Sequence, residues 1–533
     1  MDVDSSAQAE PPERLSERAR GRLAVGLLIV LVLLLYLPSL GGGFLNLDDP
    51  WLIEQNPIFR AHTPESLLAI WTDFSPATRF ALGAEYLPVR DVSVWLDGAL
   101  DGLSPLVMRL GNLSVYLGAL LFLRGALRRA LGASLGIELA IFLFALHPVH
   151  VESVAWLAGR KDVLALFFVA WALYVHAGES RFRPVFVPIL LLFAHFSKAQ
   201  SVIAIGLLAA QDLLAKRRLD ARIYLPAALC AVLAAVVHAS VGHRVHMIAE
   251  LAGGTRLNAC FTFGEIVSRY LWNLFSPTQL SVVYDAPAAT HLSVAAALGY
   301  AALIAWAALG VWRLRRERSP FVLAAWLWFV VPLVPVSQII FPLQNRMADR
   351  YLLFSVFALG LLVVAFERLQ GPRVIALAAV FLAQFGFRTF QRSDLFGSSV
   401  SLFADATAKT QLSTLAPYQW GTALEADGDF AGAAHAYEEV LRRTTHPTEP
   451  ARRATNNLAR VYVHADRLAD ANAVLQRGRG LWPRDPKLLY NLAIVTARSG
   501  DQTGANALAA ELRASFPDFR PGQSSVADFY SAE

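Results

Sequence analysis

Long apolar runs separated by short charged clusters occupy most of this chain, from about residue 22 to residue 390. Several of these runs are close to the ~20 residues that a helix needs to cross a bilayer. From about residue 417 the pattern changes, and apolar residues recur at the spacing of helices with one buried face. The pattern therefore predicts an all-α protein, with a polytopic membrane helix bundle followed by a soluble C-terminal part.

About eleven segments are predicted to span the membrane. Lys and Arg are more frequent in the loops that this count places inside than in the outer turns, as expected of cytoplasmic loops. We therefore expect a cytoplasmic N-terminus and an extracytoplasmic C-terminal part. Residues 262–285 are placed outside, as an interfacial or re-entrant segment, because a further span would invert every later loop. The predicted spans are residues 23–40, 106–123, 135–151, 162–178, 184–197, 200–215, 222–240, 291–311, 321–341, 350–366 and 372–389.

The C-terminal part contains an internal repeat. Asn457-Leu458-Ala459 recurs as Asn491-Leu492-Ala493, close to the 34-residue period of tetratricopeptide repeats, and about three such units fit. Units of this kind are helix pairs that bury their apolar faces against one another and form an α-solenoid. The predicted organisation is a cytoplasmic tail at 1–21, a membrane domain at 22–390 with a long first external loop at 41–105, a connector at 391–416, tetratricopeptide repeats at 417–520 and a tail at 521–533.

Composition and charge narrow the class of protein. Of the 533 residues, 17% are charged and 55% are hydrophobic, against about 25% charged residues in soluble domains. The net charge of +5 comes from basic residues beside the spans, so it does not indicate a nucleic-acid partner. Cys230 and Cys260 are too few for a disulfide framework.

Two adjacent carboxylates, Asp48 and Asp49, follow the first span directly, on a loop that is otherwise apolar and aromatic. Asp-Asp-Pro is also a good turn or helix-cap sequence. If the segment is extended, only one of the two side chains can point into a cavity. We favour Asp48 as a general base, with Asp49 capping the backbone or holding an arginine such as Arg90.

Further charged and histidine residues are placed at the same outer face by the predicted topology. Ionisable groups beside or inside membrane spans are costly and are candidates for function. Lys and Arg can hold a phosphate, and a carboxylate can accept a proton, so the set suits an anionic lipid headgroup and a proton acceptor. The set comprises Arg90, His147, His150, Glu152, Arg160, Lys161, Asp162, Lys198 and Arg350.

Each of these motifs has a purely structural alternative. His147 and His150 have the character of helix-end residues that reach the interface, and Arg160 to Asp162 is also an ordinary charged turn. His147, His150 and Glu152 are metal-ligand types too, but Pro148 disfavours a shared helix face. We predict no metal site, and the sequence leaves a need for a divalent cation open. Because all the motifs share one face, a functional site is favoured.

Four runs make the chain resemble the transmembrane-and-tetratricopeptide O-mannosyltransferases, the TMTC family. They are His147-Pro148-Val149-His150-Val151-Glu152-Ser153-Val154, Gly159-Arg160-Lys161-Asp162-Val163-Leu164, Phe196-Ser197-Lys198 and Asp349-Arg350-Tyr351-Leu352. Asp48-Asp49 and Leu280-Ser281-Val282-Val283-Tyr284-Asp285 resemble the family as well. The chain also departs from the family pattern. Ala199 replaces an acidic residue, Leu87 replaces the arginine between Tyr86 and Pro88, and the basic or His residue that the family often has near Tyr116 is absent. The array of about three repeats is shorter than is common in the family.

The resemblance implies a GT-C membrane glycosyltransferase. It would move a mannose-like sugar from a polyprenyl phosphate to an acceptor hydroxyl, such as a protein Ser or Thr, on the extracytoplasmic side. Asp48 or Asp49 would accept the proton, Lys198, Arg160 and Arg350 would hold the donor phosphate, and Glu152 and the histidines would position the sugar or the base. Asp48 or Asp49 should then meet Glu152 across one cavity.

The implied partners are a lipid-linked sugar donor, a protein or glycan acceptor, a protein bound by the repeats, and a plasma, inner or endoplasmic-reticulum membrane. A membrane-anchored scaffold for envelope or glycan assembly, without catalysis, is the alternative. An anchor needs one span rather than about eleven. A transporter is disfavoured because the carboxylates lie at the outer end of the spans rather than at the midplane.

Overall fold

The computed structural model describes residues 16–245, 249–367 and 372–520. In these ranges the chain is helical and contains no β-strand, which confirms the predicted class. Most of the predicted tail at 1–21 and all of the tail at 521–533 lie outside the described residues.

Short helices that begin with proline build the loop after the first long helix. Asn56, Thr63 and Ser75 each precede a proline, and each side chain accepts a backbone N–H of the helix that follows. Proline is favoured at the first helical position because its missing N–H would have no partner there. The segments are α1 (Glu17–Leu40), a π-helical turn (Pro50–Glu54), α2 (Pro57–Ala61), α3 (Pro64–Thr72), α4 (Pro76–Ala81) and α5 (Pro88–Asp101).

Twelve further helices in the described ranges complete the bundle. They are α6 (Pro105–Leu131), α7 (Leu135–Ala145), α8 (His150–Ala155), α9 (Arg160–Ala177), α10 (Arg183–Ser197), α11 (Ala204–Ala215), α12 (Ala221–Arg244), α13 (Arg256–Phe275), α14 (Val294–Glu317), α15 (Phe321–Val330), α16 (Phe357–Glu367) and α17 (Pro372–Leu395). Short 3₁₀ turns lie at Leu157–Gly159, Ala199–Ile203, Ala252–Gly254, Val331–Leu333 and Asp349–Leu352.

Every predicted span overlaps one of these helices. Among the described residues, five segments are long and apolar enough to cross a bilayer: Glu17–Leu40, Pro105–Leu131, Ala221–Arg244, Val294–Glu317 and Asp349–Phe366. The other apolar helices are shorter, so the count of about eleven spans stays a prediction.

Several boundaries differ from the prediction. The helix in the predicted span 135–151 ends at Ala145, and the one in 321–341 ends at Val330. Pro148 and Pro332 explain both, because proline lacks a backbone N–H and restricts the residue before it. The segment 262–285 is not one element, since α13 occupies its first half and an irregular stretch, residues 276–293, follows; we call that stretch the strap.

Three glycines spaced seven residues apart on α6 set the position of α9. A Cβ added to Gly118 would lie 2.8 Å from the Phe167 ring, and one on Gly125 would lie 2.7 Å from the Tyr174 ring. Gly111 packs in the same way against the Arg160 guanidinium. Small residues let two helices approach closely where lipid supplies no hydrophobic driving force. The two helices are therefore in register, and the charged start of α9 is fixed beside the start of α6.

The C-terminal part consists of three consecutive helical hairpins, which we call the array. They are α19 (Leu415–Ala426) with α20 (Phe430–Arg443), α21 (Glu449–His464) with α22 (Leu468–Leu481), and α23 (Pro486–Arg498) with α24 (Gln502–Ser515). Gly428 and Gly500 take left-handed φ angles of +83° and +92° between paired helices, and the next residue, Asp429 or Asp501, caps the second helix. The hairpins agree in number with the predicted repeats.

The predicted connector at 391–416 is mostly helical. α17 continues to Leu395 in its first residues, and a further helix, α18 (Ser399–Lys409), follows after Ser398, whose hydroxyl accepts the Val400 N–H. The helix α18 therefore lies between the bundle and the array.

Candidate active site

A cavity of about 350 Å³ lies where the first loop, the strap and the array meet. Its volume falls within the range of small-molecule sites, roughly 300–1,000 Å³. Segments from distant parts of the chain line it: Leu47, Asp48, Trp51, Glu152, Trp156, Val282, Val283, Tyr284, Ala286, Gln344, Asn345, Arg346, Met347, Arg350, Phe403, Ser413, Leu415 and Gln419.

Asp48 and Asp49 point in different directions. Asp48 is half-buried and lines the cavity. Asp49 is fully buried, and its carboxylate accepts the N–H groups of Leu45 at 3.0 Å and Ala158 at 3.2 Å. Burial raises the pKa of Asp49 to about 7, although both hydrogen bonds oppose the shift.

The two carboxylates do not diverge through an extended backbone, contrary to expectation. Asp49 is not extended before Pro50: it has helical angles, φ −57° and ψ −41°, at the start of the π-helical turn. The change of direction therefore comes from the start of a helical turn rather than from strand alternation. Of the two partners suggested for Asp49, the structure has the backbone: its carboxylate accepts two backbone N–H groups, whereas Arg90 pairs with Asp91.

Glu152 and Arg350 form a buried ion pair on the cavity wall. Glu152 accepts the backbone N–H of Arg350 at 2.9 Å and also pairs with its guanidinium. The guanidinium lies over the ring of Trp156, 5.5 Å from its centre, which adds a cation–π contact. Glu152 thus fixes Arg350 at two points, and the guanidinium keeps further N–H donors for a ligand.

A second carboxylate supports the same wall from behind. Asp349, next to Arg350, is buried and accepts a hydrogen bond from the Tyr284 hydroxyl on one oxygen. Its other oxygen pairs with Arg392 of α17 at 2.5 Å. The Tyr284 ring faces the cavity, so this chain of contacts ties the strap to the segment that carries Arg350.

Lys161, Asp162 and Lys198 form a separate charged cluster. Lys198 pairs with Asp162, and Lys161 lies 2.6 Å from the Glu85 carboxylate. The Lys198 ammonium is 6.0 Å from the centre of the Tyr351 ring, and Tyr351 follows Arg350 in the chain. The structure therefore places these three residues beside the cavity wall, outside the set of cavity-lining residues.

Arg90 and Arg160 do not line the cavity, contrary to their predicted role. Arg90 turns into the core of the first loop, where it pairs with Asp91 at 2.5 Å. Arg160 pairs with Asp97 at 2.7 Å and binds the Met108 carbonyl at 2.9 Å, so it joins α9 to α5 and α6. Both side chains are buried with partners that the spacing of the motifs does not indicate.

His147 and His150 are also absent from the cavity lining. Both are fully buried beneath it. The Nε2 atom of His147 is 3.3 Å from the Leu274 carbonyl oxygen, and the His150 ring packs 4.4 Å from Phe144, centre to centre. The turn before Glu152 contains Pro148 and lacks regular helix hydrogen bonds there. Packing of the two histidines helps to hold this turn in place.

Several residues that line the cavity were not predicted as site residues. Trp51, Trp156, Tyr284, Arg346 and Gln419 all line the cavity. Tyr284 and Trp156 lie inside or next to runs that carry the family resemblance, which was the available signal. Gln419 lies in the array, and nothing in the helical pattern distinguishes it from other polar residues on its helix.

Known proteins that resemble this chain share one description. A protein O-mannosyl-transferase of Caenorhabditis elegans is 25% identical over 461 residues, covering 82% of this chain and 65% of the relative. Tmtc3 of Drosophila melanogaster, also named a protein O-mannosyl-transferase, is 23% identical over 544 residues, covering 84% of this chain and 58% of the relative. The predicted resemblance to the TMTC family is confirmed.

A shorter region is more similar. TMTC1 of Mus musculus is 33% identical over 146 residues, which is 26% of this chain and 15% of the relative. The chain spans between about half and two thirds of the length of the TMTC relatives that it matches over most of its own length. No family model matches the chain, and no solved structure matches it either.

Proposed function

We propose that this protein is a membrane glycosyltransferase of the GT-C class. It transfers mannose or a similar sugar from a polyprenyl-phosphate donor to an acceptor hydroxyl, a protein Ser or Thr in the first instance, on the extracytoplasmic side. The names of the relatives support the sugar and the type of acceptor.

The observation that carries the proposal is the meeting of Asp48, Glu152 and Arg350 in one cavity. These residues come from three segments that are far apart in the chain. A half-buried carboxylate and a fixed guanidinium in one small cavity are the two groups that displacement at a sugar phosphate needs: a proton acceptor and a stabiliser of leaving-group charge.

In the proposed reaction, the acceptor oxygen attacks the anomeric carbon while the bond from that carbon to the phosphate oxygen breaks. The acceptor proton passes to the Asp48 carboxylate, and the polyprenyl phosphate leaves with the electron pair. Arg350, held by Glu152, stabilises the charge on that phosphate, and Arg346 supplies a second cation on the same wall. Lys161 and Lys198 are paired with Glu85 and Asp162, so they are not assigned a direct contact with the donor phosphate.

The array closes the cavity on the acceptor side. Gln419 of α19 lines the cavity, and its amide oxygen accepts a hydrogen bond from the Asn46 side chain at 3.1 Å. Asn46, which lies two residues before Asp48, also donates a hydrogen bond to the Thr422 hydroxyl at 2.6 Å. An acceptor protein bound along the array would therefore present its hydroxyl close to the proposed base.

The test is sugar transfer by the purified full chain in lipid nanodiscs, from a labelled polyprenyl-phosphate mannose to Ser/Thr peptides. Asp48→Asn should reduce transfer at least ~100-fold, the usual scale for loss of a general base. Asp49→Asn should reduce it less, and the exposed Asp101→Asn should leave it unchanged. Thermal melting of each variant confirms that it is folded.

One result would refute the role of Asp48 and another the proposed enzymatic function. Full activity of Asp48→Asn would show that the carboxylate is not the base. No transfer by the wild type from any polyprenyl-phosphate sugar, together with stable binding of an envelope protein to the array, would favour the non-catalytic scaffold.

A further inference from the structure

A second concave surface lies on α14 and α15, away from the candidate active site. It is an open groove of about 810 Å³ lined by Tyr300, Leu303, Ile304, Ala307, Ala308, Val311, Trp312, Arg315, Arg316 and Trp326. Ile304 is 69% exposed and Trp312 is 53% exposed, on a segment apolar enough to cross a membrane. The groove therefore opens towards lipid rather than towards another part of the described chain.

The walls of the groove are held by contacts between the two helices. Gly310 lets α14 approach α15, because a Cβ there would lie 2.9 Å from the Leu323 Cα. The Trp326 indole N–H donates to the Leu303 carbonyl at 3.0 Å. The Trp326 side chain is thus fixed in the groove wall, and its indole N–H already has a hydrogen-bond partner.

One end of the groove is positively charged. Arg315 and Arg316 occupy the last turn of α14 and are exposed. Their neighbour Arg313 pairs with Glu317 at 2.6 Å, whereas within the described residues neither Arg315 nor Arg316 has a carboxylate partner. Two unpaired guanidinium groups beside an apolar groove complement an anionic headgroup attached to an apolar chain.

The length of the groove suits a lipid of one leaflet. Its apolar part runs from Tyr300 to Trp312, which is about 18 Å along a helix at ~1.5 Å per residue. One leaflet contributes about 15 Å of the ~30 Å hydrocarbon core. A phospholipid acyl chain fills that length, whereas a polyprenyl chain is far longer.

The groove is also remote from the cavity. The strap, which lines the cavity, leads directly into the start of α14 at Val294. Arg316 lies 22 residues further along that helix, or roughly 33 Å. A headgroup at Arg315 and Arg316 would therefore lie at the opposite end of the bundle from Asp48.

We propose that this groove binds one anionic diacyl phospholipid, with its phosphate at Arg315 and Arg316 and an acyl chain along α14 beside Trp312. The lipid does not take part in sugar transfer, so the inference stands independently of the proposed function.

The test compares binding of phosphatidylglycerol and phosphatidylcholine to the purified full chain, by native mass spectrometry of retained lipid and titration of its thermal stability. Wild type should prefer phosphatidylglycerol. The double variant R315Q/R316Q should bind it roughly 30-fold more weakly, the scale expected when two cationic contacts to an anionic lipid are lost. Ala308→Trp, which fills the groove and keeps both arginines, should weaken binding of both lipids.

The matched control is R218Q/R222Q, which removes two exposed arginines beside α12, outside the groove lining, and should keep the preference. All variants should melt alike in phosphatidylcholine, so that misfolding is recognised. Unchanged phosphatidylglycerol binding by R315Q/R316Q would overturn the proposal, as would an equal loss in the control. Tighter binding of a polyprenyl phosphate than of phosphatidylglycerol, lost in Ala308→Trp, would instead assign the groove to the sugar donor.

Discussion

Asp48 and Asp49 are chemically identical neighbours that the fold places in different surroundings. Asp48 reaches the cavity, while Asp49 is enclosed and holds the backbone of the first loop against the turn before α9. Burial disfavours the charged form of Asp49 and raises the pKa of its carboxyl group. Asp49 is therefore expected to act on stability and Asp48 on chemistry.

The protonation of Asp49 should make stability depend on pH. Burial raises its pKa from an ordinary 3.8 to about 7, so the folded protein holds a proton that the unfolded chain has released. The contribution of this bound proton to the free energy of unfolding is fully present below about pH 4 and is lost as the pH rises to about 7. The advantage of wild type over Asp49→Asn should therefore decrease by on the order of 3 kcal/mol between about pH 5 and about pH 7.

Thermal melts of both proteins across this range measure the effect. A difference between wild type and Asp49→Asn that is constant with pH would contradict it. A constant difference is the result expected if Asp49 is ionised in both the folded and the unfolded protein over this range.

The Glu152–Arg350 pair should separate stability from activity. Either Glu152→Gln or Arg350→Gln leaves one buried charge without its partner, which typically costs 3–5 kcal/mol. The double variant removes both charges and should recover much of the lost stability, because no unpaired charge remains. It should not recover sugar transfer, since the cation proposed for the leaving phosphate is gone.

A double-mutant cycle, with melting and transfer measured on the same preparations, gives both outcomes. Recovery of transfer in the double variant would show that the pair is only structural. The surface pair of Arg467 and Asp470 serves as the control, because exposed pairs contribute little.

At the scale of helices, the sequence predicted most of the architecture. The apolar runs located the bundle helices, and the repeat period located the three hairpins, because both signals depend on local spacing. The helix ends near Pro148 and Pro332 were missed by several residues, since hydropathy alone does not register a missing N–H. α18 was missed because it is short and lies in a region of mixed composition.

The strap shows how an irregular segment joins the bundle to the array. The Asp285 carboxylate accepts the backbone N–H groups of Gln411, Leu412 and Ser413 at 2.6, 2.9 and 2.8 Å. Ser413 lines the cavity, so Asp285 positions part of its wall. Lys409, at the end of α18, adds a hydrogen bond to the Leu280 carbonyl at 2.8 Å.

Asp285→Ala should loosen this junction without unfolding either part. Hydrogen exchange at residues 411–413 should become at least ~10-fold faster, because three hydrogen bonds to a charged acceptor are lost and each is worth about 1.5–3 kcal/mol. Transfer should fall as the cavity wall becomes mobile. Asp405→Ala, which removes only the pairing with Lys409, is the control and should leave exchange at 411–413 unchanged.

Hydrogen exchange followed by mass spectrometry resolves that segment. Unaltered exchange in Asp285→Ala would mean that other contacts hold the segment. Faster hydrogen exchange together with full sugar transfer would show that the contacts of Asp285 are not needed for transfer.

At the scale of the whole molecule, the candidate site was only partly predictable. Loop charges placed all the candidate residues at one face, and Asp48, Glu152 and Arg350 do meet in a cavity. The same reasoning could not separate them from Arg90 and Arg160, since every charged residue near a span end has the same signal. Which charges pair with each other depends on contacts between residues far apart in the chain, and one sequence does not carry that information.

The structure provides a direct test of the predicted orientation in the membrane. Gln419 lines the same cavity as Asp48, so the array and the cavity must lie on the same side. In a background without Cys230 and Cys260, an impermeant maleimide should label Leu412→Cys in intact cells, because that residue is 67% exposed beside the array. It should label Leu219→Cys, 63% exposed between α11 and α12, only after the membrane is opened. Labelling of both positions in intact cells would mean that the predicted number of spans between them is wrong. The reverse pattern would put the cavity in the cytoplasm and exclude transfer on the extracytoplasmic side, although Asp48, Glu152 and Arg350 would still meet in one cavity.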